Sequence, residues 1–122
     1  DTLNRIVYFH VRRAVETIRA EKKACGCTLF AVDAINLIQS GLASLCDVTV
    51  GVTAPQEVRL ARIMARDGIE RRYALLRIRA QEPESYFRTH CTYILENGEI
   101  SQEEFQIQAE ALLDKIIKEN AK

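Results

Sequence analysis

Three short runs of apolar and β-branched residues alternate along the chain with longer segments of helical periodicity. The runs cover residues 28–32, 48–53 and 91–95. Continuous apolar runs of this length are typical of strands that are buried on both faces of a parallel sheet. Because parallel neighbours are joined by crossover connections, the alternation predicts an α/β fold built on a parallel sheet.

Helical segments fill the intervals between the predicted strands. Apolar residues at steps of three and four indicate the first helix, namely Leu3, Val7, Val11, Ala14 and Ile18. A second helix is predicted over residues 56–66, with Pro55 in its first turn and a break at Asp67-Gly68. A third helix covers about 70–81, and the capping box that begins at Ser101 predicts a terminal helix.

The composition is that of an ordinary globular chain of about one domain, with 122 residues, 48% hydrophobic and 28% charged. Seventeen Lys and Arg balance seventeen Asp and Glu, which argues against a nucleic-acid partner. The apolar runs are too short to span a bilayer, and the first residues lack the layout of a signal peptide. Four irregularly spaced cysteines do not suit a disulfide framework, so we expect a cytoplasmic protein with reduced thiols and no metal site.

Positive charge is concentrated in the middle of the chain. Residues 56–81 contain seven Arg, no Lys and three acids, whereas residues 82–122 contain nine acids against four Arg and Lys. The arginine-rich block is compatible with a solvated helix face. It is equally compatible with a phosphate-binding surface, because the planar guanidinium group offers paired donors that suit phosphate oxygens.

Five sequence blocks, taken in their order and spacing, resemble the dephospho-coenzyme A kinase family. They are LNRIVYFHV at 3–11, VDAINLIQSGL at 32–42, CDVTVGVTAP at 46–55, RLARIMARDGI at 59–69 and CTYILENG at 91–98. The strongest is the block at 59–69, which Ala74, Arg77 and Gln81 continue. Together the blocks resemble roughly the carboxy-terminal three-fifths of the family's length.

The chain departs from the family's pattern at several positions. Tyr8-Phe9 stands where the family usually has His-Pro, Gln39 replaces a Glu, and Thr92 replaces an Asp. The phosphate-cradling sequence G-x-x-x-x-G-K-[ST] occurs nowhere in the 122 residues. We therefore expect a domain that is truncated at its amino end, and we expect residues 1–122 alone to be inactive. Whether this chain is itself an enzyme stays open.

The resemblance implies a three-layer parallel-sheet fold of the P-loop kinase type. Residues 1–55 and 91–122 would form the core of a single partial domain, and residues from about 56 to 90 would form a helical lid. The implied reaction belongs to coenzyme A biosynthesis. It transfers the γ-phosphoryl group of ATP, with Mg²⁺, to the ribose 3′-hydroxyl of dephospho-CoA.

Two other functions remain open at this stage. The chain is alternatively a non-catalytic remnant that binds CoA or a nucleotide, or merely assembles. The second alternative is that the chain is a piece of a related nucleoside or nucleotide kinase. The expected partner is a small molecule and neither a nucleic acid nor a membrane. We also expect self-association, because a sheet without its first strands exposes an edge and an apolar face.

The resemblance places the candidate catalytic residues in the lid and after the first predicted strand. Arg66, Arg77 and Arg62 are the implied phosphate ligands, and Arg59 is a weaker candidate. Positions 59, 62 and 66 are three and four residues apart, so they share one face of the predicted helix. Asp33 ends a predicted buried strand, where it is either a site acid near the metal or acceptor, or the N-cap of a following helix.

The candidate nucleotide-binding residues lie nearer the carboxyl end. Asn97 and Gly98 follow the last predicted strand, and the resemblance places their loop against the adenine of the nucleotide. A type I′ turn would account for the same dipeptide. Gln81 is a further candidate, or simply the end of a helix before Pro83. Gln39 keeps the hydrogen-bonding capacity of the family's Glu but not its charge.

Overall fold

The computed structural model describes residues 2–120, and the chain divides into two units at residues 47 and 48. The first unit consists mainly of the helix α1 (Thr2–Ala24), as the periodicity predicts. Gly26 ends this helix with φ of 89°, a backbone angle that favours glycine. The next amide, that of Cys27, bonds Lys22 O at 3.0 Å, which gives the helix a Schellman cap.

The rest of the first unit is irregular. Residues 35–41 form turns, and a short 3₁₀ helix follows at Leu42–Leu45. Arg12 of α1 holds this segment, because its Nη1 donates to Gly41 O at 3.1 Å and to Ser44 Oγ at 3.2 Å.

The strand predicted at residues 28–32 is wrong for the described structure. These residues belong to no ladder, and Leu29 remains 53% exposed. Apolar content alone does not make a strand, since the backbone groups of a strand must pair with a neighbour. Within residues 2–120 the only ladder joins two strands of the second unit.

The second unit contains a parallel pair of strands together with helices, which confirms the predicted α/β class. The strand β1 (Val50–Thr53) pairs with β2 (Tyr93–Glu96), and their register aligns Val50 with Tyr93 and Thr53 with Glu96. The buried face of β1 includes Gly51, where an added Cβ would lie only 3.0 Å from Cys91 Sγ. A larger residue at this position would therefore displace its neighbours.

Four helices complete the second unit. They are α2 (Gln56–Asp67), α3 (Arg71–Arg79), α4 (Glu84–His90) and α5 (Gln102–Asn120). The predictions of α2, α3 and α5 are confirmed. The helix α4 was not predicted, although Pro83 marks its start. Among residues 2–120 no helix is long and apolar enough to cross a membrane.

A small apolar core joins α2 to α3. Leu60 of α2 and Ala74 of α3 are almost fully buried, and Ile78 packs with them. The connection between the helices is short because Gly68, at φ 63°, ends α2 in the left-handed conformation. The two helices thus form one packed hairpin that carries the arginine-rich sequence.

Candidate functional site

The junction of α2 and α3 brings two predicted phosphate ligands to one carboxylate. Asp67 Oδ1 accepts a hydrogen bond from Arg66 Nε at 2.9 Å, and Oδ2 accepts one from Arg66 Nη2 at 3.0 Å. Arg77 Nη1, from α3, donates to the same Oδ2 atom. Both arginine side chains are more than half exposed, so the remaining guanidinium donors face solvent.

The charges of this cluster reinforce one another. The hydrogen bonds from Arg66 and then Arg77 lower the pKa of Asp67 below its ordinary value, so the carboxylate stays ionised. The same carboxylate raises the pKa of Arg66. At neutral pH the cluster therefore holds two cations around one anion, with a net positive charge available to a ligand.

Arg62 and Arg59 have other partners, although they were predicted to share a face with Arg66. Arg62 spans two carbonyls of the loop after β2, donating from Nη1 to Asn97 O and from Nη2 to Gly98 O, both at 2.8 Å. Arg59 Nε donates to Ala54 O at 3.0 Å. These two arginines therefore fasten α2 to the carboxyl ends of both strands.

The loop at Asn97-Gly98 is not a type I′ turn. That turn requires positive φ at both central residues, and among residues 2–120 only Gly26, Gly41 and Gly68 have positive φ. The loop instead leads from a parallel strand towards α5, and its Asn97 N–H donates to Thr53 O at 2.7 Å. Gly98 is buried, and a Cβ added to it would lie 3.6 Å from Cδ of Pro55.

A shallow cavity of about 520 Å³ opens at this end of the sheet. Its lining combines apolar atoms with acids and includes Pro55, Val58, Glu57, Glu96, Gly98 and Glu99. In open α/β sheets, ligands bind at the carboxyl ends of the strands, where this cavity lies. The acidic lining disfavours a phosphate group and is compatible with a neutral, hydrogen-bonding base.

The remaining candidates do not join these groups through any bond in the described structure. Asp33 lies in the first unit, exposed and in a segment without a strand, and turns rather than an α-helix follow it. Gln39, in the same unit, is also exposed. Gln81 is exposed just beyond α3, and its backbone N–H donates to Ile78 O at 3.1 Å.

Sequence reasoning missed two acids that organise the arginines. It treated Asp67 only as part of a helix break, and it considered Glu57 only as an alternative partner of Arg59 and Arg62. The structure pairs Glu57 with Arg71 through two bonds of 3.0 and 3.2 Å, which lowers the pKa of this glutamate. The available signal was the presence of three acids within a block of seven arginines.

Comparison with known protein families gives a match over most of the chain. Residues 1–103 match the family model described as dephospho-CoA kinase. The chain belongs to the dephospho-CoA kinase family. This confirms the resemblance seen in the five sequence blocks.

Individual members of the dephospho-CoA kinase family show what fraction of their length this chain matches. A dephospho-CoA kinase of Porphyromonas gingivalis is 34% identical over 84 residues, which are 69% of this chain and 40% of the relative. One of Bacillus licheniformis is 31% identical over 112 residues, 92% of this chain and 55% of the relative. The chain thus spans about half the length of these curated relatives.

A solved structure supports the same conclusion about the fold. A crystal structure of a Thermus thermophilus protein matches with a TM-score of 0.67 and 31% identity, over 93% of this chain and 58% of that one. Together with the parallel sheet and its helices, this match confirms the predicted α/β fold of the P-loop kinase type.

Proposed function

We propose that this chain serves ATP-dependent phosphorylation of the ribose 3′-hydroxyl of dephospho-CoA. The observation that carries the proposal is the meeting of Arg66 and Arg77 at Asp67. Catalysis of phosphoryl transfer depends mainly on positioning and on neutralising the charge that spreads over phosphate oxygens. Two exposed guanidinium groups held side by side are suited to that task.

The hairpin of α2 and α3 is the proposed lid, within the helical region from about 56 to 90. It joins the sheet through Arg59 and Arg62, whereas the guanidinium groups of Arg66 and Arg77 meet at Asp67, the last residue of α2. Closure of such an element brings cations to the phosphates and excludes water. Arg66 and Arg77 would donate to the transferring group, and Arg62 would act as a positioning residue.

The loop at Asn97-Gly98 is the proposed contact for the adenine base. It lies beside the cavity at the carboxyl ends of β1 and β2, and Arg62 holds two of its carbonyls. Binding in that place would bring the base next to the attachment of the lid. Gln81 and Asp33 remain proposed ligands of the nucleotide and of the acceptor or metal, respectively.

Mg²⁺ accompanies ATP in the reaction that the family implies, and Asp33 is the residue proposed to lie near it. Within residues 2–120 no group of three His, Cys, Asp or Glu side chains could hold a metal ion. Mg²⁺ is usually bound by one or two carboxylates together with substrate phosphates. No step of the proposed mechanism is assigned to a metal held by this chain.

The cradle for the ATP phosphates is the part that the sequence lacks, since G-x-x-x-x-G-K-[ST] does not occur. We therefore expect residues 1–122 alone to show no phosphorylation of dephospho-CoA, measured as CoA formed by mass spectrometry. Fusion to the amino-terminal portion of a family relative should give measurable turnover.

That fusion protein tests the function directly. Arg66→Ala and Arg77→Ala should each lower kcat by about 10² or more, as expected for a group that stabilises developing charge. Glu82→Gln, an exposed change of one charge just beyond α3, is the matched control and should leave kcat within about twofold. A fusion that forms CoA equally well without both arginines would contradict the proposal. A fusion that binds ATP but never forms CoA would favour the non-catalytic alternative.

A further inference from the structure

Asp67 occupies a position where a carboxylate is electrostatically unfavourable. It is the last residue of α2, and the carboxyl end of a helix carries partial negative charge. Helices usually place cations in their last turn. The helix therefore does not stabilise the negative charge of Asp67, and its side-chain contacts must do so.

One oxygen of Asp67 joins two guanidinium groups from different helices. Oδ2 accepts from Arg66 Nη2 at 3.0 Å and also from Arg77 Nη1, while Oδ1 accepts from Arg66 Nε at 2.9 Å. Two cations this close would repel each other without an anion between them. The carboxylate thus allows the two groups to stay adjacent.

Most of the donors in the cluster remain available. A guanidinium group has five N–H donors, and Asp67 uses two from Arg66 and one from Arg77. Neither guanidinium group has another hydrogen-bond acceptor among residues 2–120. The free N–H groups from two side chains can therefore converge on the oxygens of one phosphate chain.

We propose that Asp67 is a positioning residue that holds Arg66 and Arg77 as one phosphate-binding unit. This inference rests on the proposed function, since it concerns how the lid grips the phosphates of the nucleotide. Asp67 itself does not touch the ligand. Its carboxylate fixes two long side chains that would otherwise spend binding energy on becoming ordered.

The test is a double-mutant cycle on residues 1–122, with inorganic tripolyphosphate as the probe and calorimetry as the measurement. If the arginines act as one unit, Arg66→Ala and Arg77→Ala should each weaken binding by about tenfold, and the double variant should be no weaker than either. Asp67→Asn should itself weaken binding by roughly threefold or more relative to the parent chain. In that background the losses of affinity caused by Arg66→Ala and Arg77→Ala should multiply in the double variant.

Charge alone predicts the opposite result for Asp67→Asn. Removing an anion beside a phosphate site tightens anion binding by electrostatics, so tighter binding contradicts positioning. Glu70→Gln is the matched control, because it removes one exposed charge from the same hairpin where Glu70 pairs with Arg72. It should change neither the affinity nor the coupling of the two arginines.

The outcomes separate the inference from the proposed function. Multiplicative arginine effects in both backgrounds, or Asp67→Asn binding as tight as the parent chain, overturn the inference alone. Absent tripolyphosphate binding, or binding that is indifferent to both arginines, overturns the inference, and the proposed function falls with it only if the fusion protein also forms CoA equally well without both arginines. A second readout distinguishes a folding defect from a loss of positioning. The backbone amide spectrum of α2 and α3 should be unchanged in Asp67→Asn.

Discussion

Thr49 and Thr92 exchange backbone-to-hydroxyl hydrogen bonds where the parallel strands begin. Thr49 N–H donates to Thr92 Oγ1 at 3.1 Å, and Thr92 N–H donates to Thr49 Oγ1 at 3.0 Å. The two hydroxyl groups lie 3.4 Å apart. The pair thus links the two strands one residue before the ladder begins. One of its members, Thr92, stands where the family usually has an Asp.

Removal of either hydroxyl should destabilise the second unit. Thr49 is buried, so Thr49→Val leaves the Thr92 amide without its acceptor and should cost about 1–2 kcal/mol in the free energy of unfolding. Thr92→Val should cost a similar amount, and the double variant should cost less than the sum because the groups share their bonds. Urea titration measures these values.

Thr89→Val is the control for this pair. Thr89 is exposed on α4, and its hydroxyl donates only to Ser85 O within the same helix. The change should stay within about 0.5 kcal/mol of the parent chain. Additive losses at positions 49 and 92 would show that the two threonines act separately.

The fold was predictable wherever the local pattern carried the information. The break of α2 followed from Asp67-Gly68, and the start of α5 followed from Ser101, whose Oγ accepts from Glu104 N–H at 3.1 Å. Residues 28–32 show where this reasoning fails. Their apolar content is typical of a strand, but strand formation depends on a pairing partner that no local pattern specifies.

The candidate site was predictable only in part, because residue spacing on a helix does not reveal what each side chain contacts. The shared face of Arg59, Arg62 and Arg66 was a sound helical inference. Their partners differ because carbonyls at the ends of both strands lie near the first two, whereas Asp67 lies beside the third. These contacts depend on tertiary packing.

Loss of the Arg62 fork should loosen the loop after β2. Arg62→Ala removes two charge-assisted bonds, to Asn97 O and Gly98 O, so the amides of residues 97–100 should exchange hydrogen about tenfold faster. Arg79→Ala, an exposed change at the end of α3, is the matched control. Unchanged exchange in the loop would mean that the fork adds nothing to its order.

Acid should weaken the helical hairpin through two carboxylates. Asp67 and Glu57 have pKa values below their ordinary 3.8 and 4.5, because Arg66 and Arg71, respectively, donate to them. Their stabilising contribution is present above those ordinary values and is lost as the pH falls through the lowered pKa values. Urea titrations should show a lower free energy of unfolding below pH 3 than at pH 6. Added salt should make this difference smaller.

Asp67→Asn and Glu57→Gln provide the comparison for this pH dependence. Each removes one titrating group, so the fall in stability on acidification should be smaller than in the parent chain. Both groups are exposed to water, and the effect is correspondingly modest. Equal pH dependence in all three proteins would assign the acid sensitivity to other carboxylates.

The four cysteines should differ in reactivity. Burial raises the pKa of Cys91 and of Cys46, which reduces their thiolate fraction, whereas Cys25 and Cys27 are exposed. Brief alkylation with iodoacetamide at pH 8 should therefore label Cys25 and Cys27 about tenfold faster, as read by peptide mass spectrometry. Uniform labelling in the native chain, like that in urea, would contradict the described burial.

Exposed apolar side chains should make the chain associate with itself. Ile6 and Phe9 of α1 are 53% and 57% exposed, and Val52 of β1 is 59% exposed. Apolar surface of this kind gains free energy when it leaves water, by about 25 cal/mol per Å². We expect the average mass from light scattering to rise with protein concentration, and Ile6→Lys should reduce that rise. Asn4→Lys adds the same charge at an exposed polar position of α1 and should reduce it less. A monomeric mass at every concentration would show that these side chains do not drive association.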